Sequence, residues 1–280
     1  MKVTSRIEPA GRRTFLAGLA AAPLLGAFAA RAQSRPLVSH PDGGFRFLPG
    51  SPVFASGAVA EPGFAIVHAL LSRWLPLEQG YELVERHLQT LGRPLQALCG
   101  MQLRLPRQLS IEEFIAFNAP YIARLERWDV VQDKANPVSR TNVSPAAEAP
   151  GEASLHAFTY TIPYSGSART FTMSGMTERG SGGSIVAQGD DSPDGMQRKL
   201  AHVLGAVGDR VAELGFGWRD ATHVELYSGV EIPGALAALA ARASGALPRG
   251  VRWYYGRPPV TGLEVELEAR AVLREEVVGA

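Results

Sequence analysis

Apolar side chains recur at spacings of three and four along residues 78–91, where Tyr81, Val84, Leu88 and Leu91 form one stripe and Gly92 follows. That period predicts an amphipathic helix ended by a glycine. Residues 196–214 carry the same pattern at greater length, with Leu200, Val203, Leu204, Val207, Val211 and Leu214 on one face and Gly215 as the stop. Two further helices are predicted. One opens at Ser110-Ile-Glu-Glu113, which resembles a capping box, and runs to Ile122 or beyond, with Pro120 bending it or starting a new first turn. The other covers residues 233–243. Runs rich in β-branched and aromatic residues, or alternating in polarity, predict strands at 53–57, 95–105, 140–143, 153–162, 171–175, 184–187 and 221–227. The apolar run 64–71 fits a strand or a helix, since periodicity does not separate the two over so short a length. Near the end, residues 251–255 and 260–265 flank Gly256-Arg-Pro-Pro259 and read as strand, turn, strand.

Taken in order, these elements repeat. Each half reads strand, strand, helix, strand, helix, strand, strand, with the boundary close to Pro163. Both halves have a Ser-Gly after the first strand (Ser56-Gly57 and Ser174-Gly175) and a Leu-Gly after the long helix. Both also have an arginine opening the penultimate strand, Arg140 and Arg249. The expectation is an α+β chain of two units, 33–162 and 163–280, each a mainly antiparallel sheet with two helices on one face.

Ahead of them, Arg12-Arg13-Thr-Phe-Leu16, the apolar run to Ala29 and Ala30-Arg-Ala32 have the three parts of a secretory signal. The paired arginines are the twin-arginine export signature. An uncleaved anchor is the alternative, but the apolar run is short for a bilayer and is interrupted by Pro23. Residues 1–32 are therefore expected to be a cleaved leader, and the protein periplasmic. The formal net charge of +1 gives no electrostatic case for a nucleic-acid or anionic-membrane partner. Cys99 stands alone, so no intrachain disulfide is expected, and the six histidines show no local metal-binding spacing.

Candidate chemistry concentrates at the C-terminal end. Arg249 enters the first of the last two predicted strands and Glu264 lies in the second. A guanidinium is a fixed fork suited to a carboxylate, and a glutamate beside it can hold or activate a water. An ordinary cross-strand ion pair is the competing reading. Glu266 and Glu268 alternate on the same face as Glu264, and Arg252 and Arg257 are rival cations. Trp253-Tyr-Tyr255 alternates between faces, which argues against a stacking platform. Gly180-Ser-Gly-Gly183 lacks the lysine of a phosphate loop and reads as a hairpin turn.

The segment resembles the end of the RidA (YjgF) family of enamine and imine deaminases, in which an Arg opens a strand, a Pro follows nine residues on and a Glu fifteen on. Arg249, Pro258 and Glu264 match that spacing without a gap. Ser174-Gly175 resembles the family's SGQ strand end, Pro163-Tyr164-Ser165 its GPYS entrance, and Phe114-Ile-Ala-Phe-Asn118 its FaafN helix. The resemblance spans nearly the whole mature chain in tandem. It implies that an arginine clamps a substrate carboxylate while a glutamate positions water for attack on an imine carbon, releasing ammonia without a cofactor. Arg249 and Glu264 are then the catalytic pair, with Ser174, Gly175, Tyr164, Arg140 and Asn118 around the substrate. In the first repeat the glutamate position falls on Leu155 or His156, and a histidine could replace the base. The resemblance also implies a trimer-like homo-oligomer. Hydrolytic deamination of a 2-iminoalkanoate or 2-aminomuconate type of acid is the leading expectation, and a non-catalytic carboxylate binder or structural protein the alternative.

Overall fold

In the computed structural model, which describes residues 35–180 and 182–279, the first half begins with β1 (Val38–His40), β2 (Phe45–Leu48), β3 (Gly57–Ala60) and the long β4 (Phe64–Pro76). It continues through α1 (Leu77–Thr90), β5 (Leu98–Arg104), α2 (Ile111–Arg127), β6 (Ser139–Pro145) and β7 (Ser154–Pro163). The second half carries β8 (Phe171–Met173), β9 (Met176–Thr177), α3 (Pro193–Glu213), β10 (His223–Ser228), α4 (Ala235–Arg242), β11 (Arg252–Tyr254), β12 (Gly256–Arg257), β13 (Val265–Arg270) and β14 (Glu275–Val278). The expected leader lies outside the described residues. Among those described, no helix is long and apolar enough to cross a membrane.

The strands form three sheets, ordered β12-β6-β5-β7-β4-β14, β11-β10-β13-β9 and β1-β2-β3-β8. Most pairings are antiparallel; β5 with β6, β10 with β11, and β4 with β14 are parallel. The ambiguous run 64–71 is strand, because β7 and β14 flank β4 on its two edges and its side chains are mostly buried. A strand covered on both faces reads as a continuous apolar run. Two elements differ from expectation. Residues 184–187 stay in a loop, touching Arg179 only through an isolated bridge at Ile185, and Ala187 takes a φ of 48° that no strand tolerates. The strand expected at 53–57 begins only at Gly57.

Each half has the predicted α+β layering and its own apolar core. The stripe of α1 and the inner face of α2 pack on the six-stranded sheet through Tyr81, Val84, Leu88, Tyr121, Leu125, Met101, Leu103 and Phe158. Leu200, Val203, Leu204, Val207 and Val211 of α3 pack on Val224, Leu226, Val265 and Leu267. Each such side chain buried contributes about 1.5–3 kcal/mol. The capping box on α2 is formed as expected: Ser110 Oγ accepts from the Glu113 N–H at 3.2 Å, and Glu113 Oε2 accepts from the Ser110 N–H at 2.8 Å. The helix runs through Pro120 without a break.

The C-terminal hairpin is the main correction. β11 and β13 are not neighbours, because β10 is inserted between them, parallel to one and antiparallel to the other. Arg249 ends a single 3-10 turn, Leu247–Arg249, closed by Pro248 and by Gly250 at a φ of 82°, and the strand starts only at Arg252. Residues 260–264 form the approach to β13.

Candidate active site

With the cores lying under the helices, the opposite faces of the two larger sheets meet each other. Alternation along the strands decides what they bring. Met101 and Leu103 point into the first core, so Gln102 and Arg104 point away from it. In the same way Val224 and Leu226 leave Glu225 and Tyr227 on the other face, and Val265, Leu267 and Ala269 leave Glu266, Glu268 and Arg270 there. Gln102 Nε2 crosses to Glu225 Oε2 at 2.9 Å and to Glu268, and Thr141 Oγ1 crosses to Glu268. The layer between the sheets is thus polar and charged, and nearly sealed from solvent. Burying charges in this way is weak as a device for stability, which makes the layer a candidate for function.

One part of the layer is fully paired. Arg270 donates to Glu225 Oε1 at 2.5 Å and to Glu268 Oε1 at 2.6 Å, and the Tyr227 hydroxyl donates to Glu225 Oε2 at 2.7 Å. Burial pushes Glu225 up, but the adjacent Arg270 outweighs it and holds this carboxyl well below the usual range. Burial and the Glu225 charge instead push Glu268 up to about 8. The two carboxylates share one guanidinium, so one ionises and the other keeps its proton. His68 meets Gln102 Oε1 at 3.2 Å and Glu275 at 2.9 Å, and Arg252 forks onto Glu275 at 2.7 and 3.0 Å. A small cavity of about 10 Å³ lies among His68, Gln102, Thr141, Glu268 and Arg270.

The other part, at the C-terminal ends of β5 and β10, is unpaired. Arg104, 2 % exposed, donates one N–H to the Leu103 carbonyl at 3.1 Å and stacks over Tyr227 and Tyr254 at 5.6 and 5.3 Å. Its second terminal nitrogen has no partner among the described residues. Glu266, 3 % exposed, pairs in register with Tyr227 and likewise has a partnerless Oε2. Burial, and then the Glu268 charge, push its carboxyl well above the usual range despite Arg104. His156 accepts from the Trp74 indole N–H at 3.0 Å through Nδ1, which leaves the proton of the neutral ring on the partnerless Nε2. Burial and the Arg104 charge keep that ring neutral. A fixed cation, a carboxyl pushed toward its protonated form and an N–H donor therefore share this part of the layer, with Arg104 over Tyr227 and Tyr254 and His156 edge-on to Tyr254.

The structure does not bring Arg249 and Glu264 together. Arg249 is exposed and donates to the carbonyls of Arg219 and Ala221 at 2.7 and 3.3 Å, at the start of β10. Glu264 pairs with Arg257 at 2.8 Å and precedes Val265, which is registered with Ser228 at the end of β10. The six residues of that strand put them roughly 20 Å apart. Tyr164 also lies elsewhere, beyond the end of β7 opposite His156, with its backbone N–H on the Gly63 carbonyl at 2.8 Å. Ser174, Gly175, Arg140, Asn118 and His156 do converge on the interior. Ser174 Oγ accepts from the Arg140 N–H at 2.8 Å and donates to the Ala55 carbonyl at 2.6 Å. The Gly175 N–H donates to Thr141 at 3.0 Å, and a Cβ placed on Gly175 would overlap Glu266 Oε1.

Arg140 sits on the other face of β6 from Thr141. Its guanidinium donates to Asn118 Oδ1 and lies 4.4 Å from the Tyr121 ring centre and about 6 Å from those of Phe54 and Phe114. Two of its nitrogens are partnerless. This box suits an anion, but among the described residues no carboxylate or imidazole is bonded to Arg140 to move a proton. Sequence reading missed Arg104, Glu225 and Arg270 altogether. The available signal was period two: charges at every second position of strands whose other positions are apolar. Among the described residues, no group of His, Cys, Asp and Glu is arranged to hold a metal ion.

The family model for the 2-aminomuconate deaminase CnbZ matches residues 37–276. The chain belongs to this family. A relative within reach of the same description, the 2-amino-5-chloromuconate deaminase of Comamonas testosteroni, is 39 % identical over 245 residues, covering 84 % of this chain and 96 % of that protein. Among solved structures, a chorismatase matches 82 % of this chain and 77 % of its own at 13 % identity and a TM-score of 0.46. The Rid protein YyfB of Yersinia pestis matches 40 % of this chain and 84 % of its own at 19 % identity and a TM-score of 0.30. Membership in a deaminase family agrees with the resemblance seen in the sequence.

Proposed function

We propose that the chain is a hydrolytic deaminase of a 2-aminomuconate type of enamine acid, and that the reaction takes place in the unpaired part of the polar layer. The observation that carries this is the free edge of buried Arg104 in the same part of the layer as buried Glu266, which has a partnerless oxygen and whose carboxyl burial pushes well above the usual range. Arg104 binds the carboxylate next to the amino-bearing carbon, an ion contact strengthened by exclusion of water. Glu266 gives its proton to the enamine carbon, producing an iminium. Water adds to the C=N carbon and returns a proton to the Glu266 carboxylate. The resulting carbinolamine transfers a proton to nitrogen and expels ammonia, leaving the 2-oxo acid. Enamine and water are consumed and oxo acid and ammonia are formed, with no change of oxidation state. The His156 N–H and the tyrosine rings orient the bound acid.

The test is ammonia release from 2-aminomuconate generated in situ, with wild type against Arg104→Met and Glu266→Gln. Losses of about 10²–10⁴-fold are expected from removing the acid; wild-type rates in both variants would remove the proposal. A binder without catalysis would show ligand-induced stabilisation and no ammonia from the wild type. The twin-arginine pattern at Arg12-Arg13 supports a periplasmic site of action, for which cell fractionation is the check. The assembly proposed is a homo-oligomer, to be read from the mass in light scattering.

A further inference from the structure

Glu266 is not held in place by its own strand alone. β9, two residues long, runs antiparallel beside β13 and registers Thr177 with Glu266 and Met176 with Leu267. Gly175, just before β9, brings its backbone against the Glu266 carboxyl. A ladder of two pairs is too short to fix so close an approach without further support. The residue after β9 supplies it. Glu178 is 0 % exposed and turns its carboxyl group onto the chain entering β13, where Oε1 accepts from the Glu264 N–H at 2.6 Å and Oε2 from the Val265 N–H at 3.2 Å. Its backbone carbonyl accepts from the Val186 N–H at 3.0 Å, which ties the following loop to the same point. Both side-chain oxygens are acceptors, as in an ionised carboxylate. The positive charge facing it comes from buried Lys199 of α3, which itself bonds Asp191 at 3.1 Å. A neutral side chain could accept two backbone N–H groups without burying a charge, so the choice of a carboxylate points past fold stability.

Resting on the deaminase reading above, we propose that Glu178 is a positioning residue for the acid Glu266: its carboxylate pins the backbone entering β13, holding Glu266 against Gly175, and sets a fixed negative charge behind it. Four groups from four elements act on Glu266. Burial first, and then Glu268 of its own strand, push its carboxyl up; Arg104 of β5 opposes them, and the Glu178 charge adds to the rise. Tyr227 of β10 stands in register with Glu266, and burial keeps its hydroxyl protonated. Glu178 therefore favours the form of Glu266 that can give a proton to the enamine carbon.

The experiment follows ammonia release from 2-aminomuconate generated in situ against pH, in full-length wild type, Glu178→Gln, Glu178→Met and Glu178→Asp. The rate falls on the basic side as the acid ionises. Without the Glu178 charge Glu266 releases its proton sooner, so the basic limb of kcat/KM should move to lower pH by about 0.5–1 unit in the glutamine variant. Methionine is the second neutral replacement, should the glutamine amide not fit against the Val265 N–H. Aspartate keeps the charge on a shorter arm, and should leave the limb near its wild-type position while lowering kcat. A second readout needs no turnover: the Glu266 carboxyl carbon, followed by NMR in glutamate-labelled protein and assigned by its loss in Glu266→Gln, should titrate at lower pH in the neutral variants. A rate loss equal at every pH with an unmoved Glu266 titration marks a purely structural residue and overturns the proposal, as does a limb that moves as far with aspartate as with glutamine. If wild type releases no ammonia yet the Glu266 titration depends on Glu178, the deaminase reading fails and the coupling of the two carboxyls stands. If ammonia is released and neither limb nor titration moves, the deaminase reading stands and Glu178 has no part in it.

Discussion

Gly175 and Glu266 show how much at this site depends on single positions. The chain passes so close to the Glu266 carboxyl that a side chain at position 175 would push it aside. Gly175→Ala is expected to displace Glu266, lowering kcat more than 10²-fold, and to destabilise the fold by about 1–3 kcal/mol as overpacking does. Steady-state rates and urea midpoints check both. His156 gives a milder expectation. Its ring is held by Trp74, so Trp74→Phe frees Nδ1 and lets the ring turn, raising KM more than it lowers kcat. At this scale the sequence was informative about residue type and poor about partners. Ser174, Gly175 and Asn118 were singled out by short motifs and Arg140 by the repeat, and the structure buries Ser174, Arg140 and Asn118. Arg249 and Glu264 matched by spacing alone, and spacing along the chain carries no information once another strand is inserted between two segments.

At the scale of elements, the helices and most strands followed from period and caps, since those signals are local. α1, α2 and α3 lie within a few residues of where their apolar stripes and stop signals put them. The capping box of α2 offers a direct check. Ser110→Ala removes the acceptor for the Glu113 N–H and should lower stability by about 1 kcal/mol, with activity retained at a temperature where the variant is folded. A urea midpoint unchanged from wild type would contradict it. What local signals did not carry was strand order. β11 and β13 follow one another in sequence yet flank β10, and the two-residue β12 leaves its own half to pair with β6. Such pairings are decided by long-range burial, which neither alternation nor turn residues encode.

The whole molecule is expected to respond to pH through its buried layer. A glutamate in the unfolded chain releases its proton near 4.5, whereas folded Glu268 keeps it until about 8, and Glu266 is displaced in the same direction. Over that interval the folded state holds more protons, so these groups reduce stability as pH rises. Below about 6.5 the effect is opposed by His68, His87, His156 and His223, whose folded values are lowered by burial, so that raising pH favours the fold there. Between pH 6.5 and 8 the histidines fall silent and the carboxyls remain. Stability should therefore decline over that window by up to about 1.4 kcal/mol per pH unit for each such carboxyl, seen as a falling urea midpoint. In Glu268→Gln the decline should flatten. The ammonia-releasing rate should fall over the same window, because ionised Glu268 sits beside the acid.

β14 has one more consequence. It belongs to the second half, yet it forms the outer edge of a sheet whose other strands, apart from β12, come from the first half, lying parallel to β4 and placing Glu275 against His68. During synthesis the first half must therefore wait with an open flank until β14 has emerged. A polypeptide cut at the repeat junction is expected to leave β4 without its parallel neighbour and His68 without Glu275, so neither half closes by itself although both follow one plan.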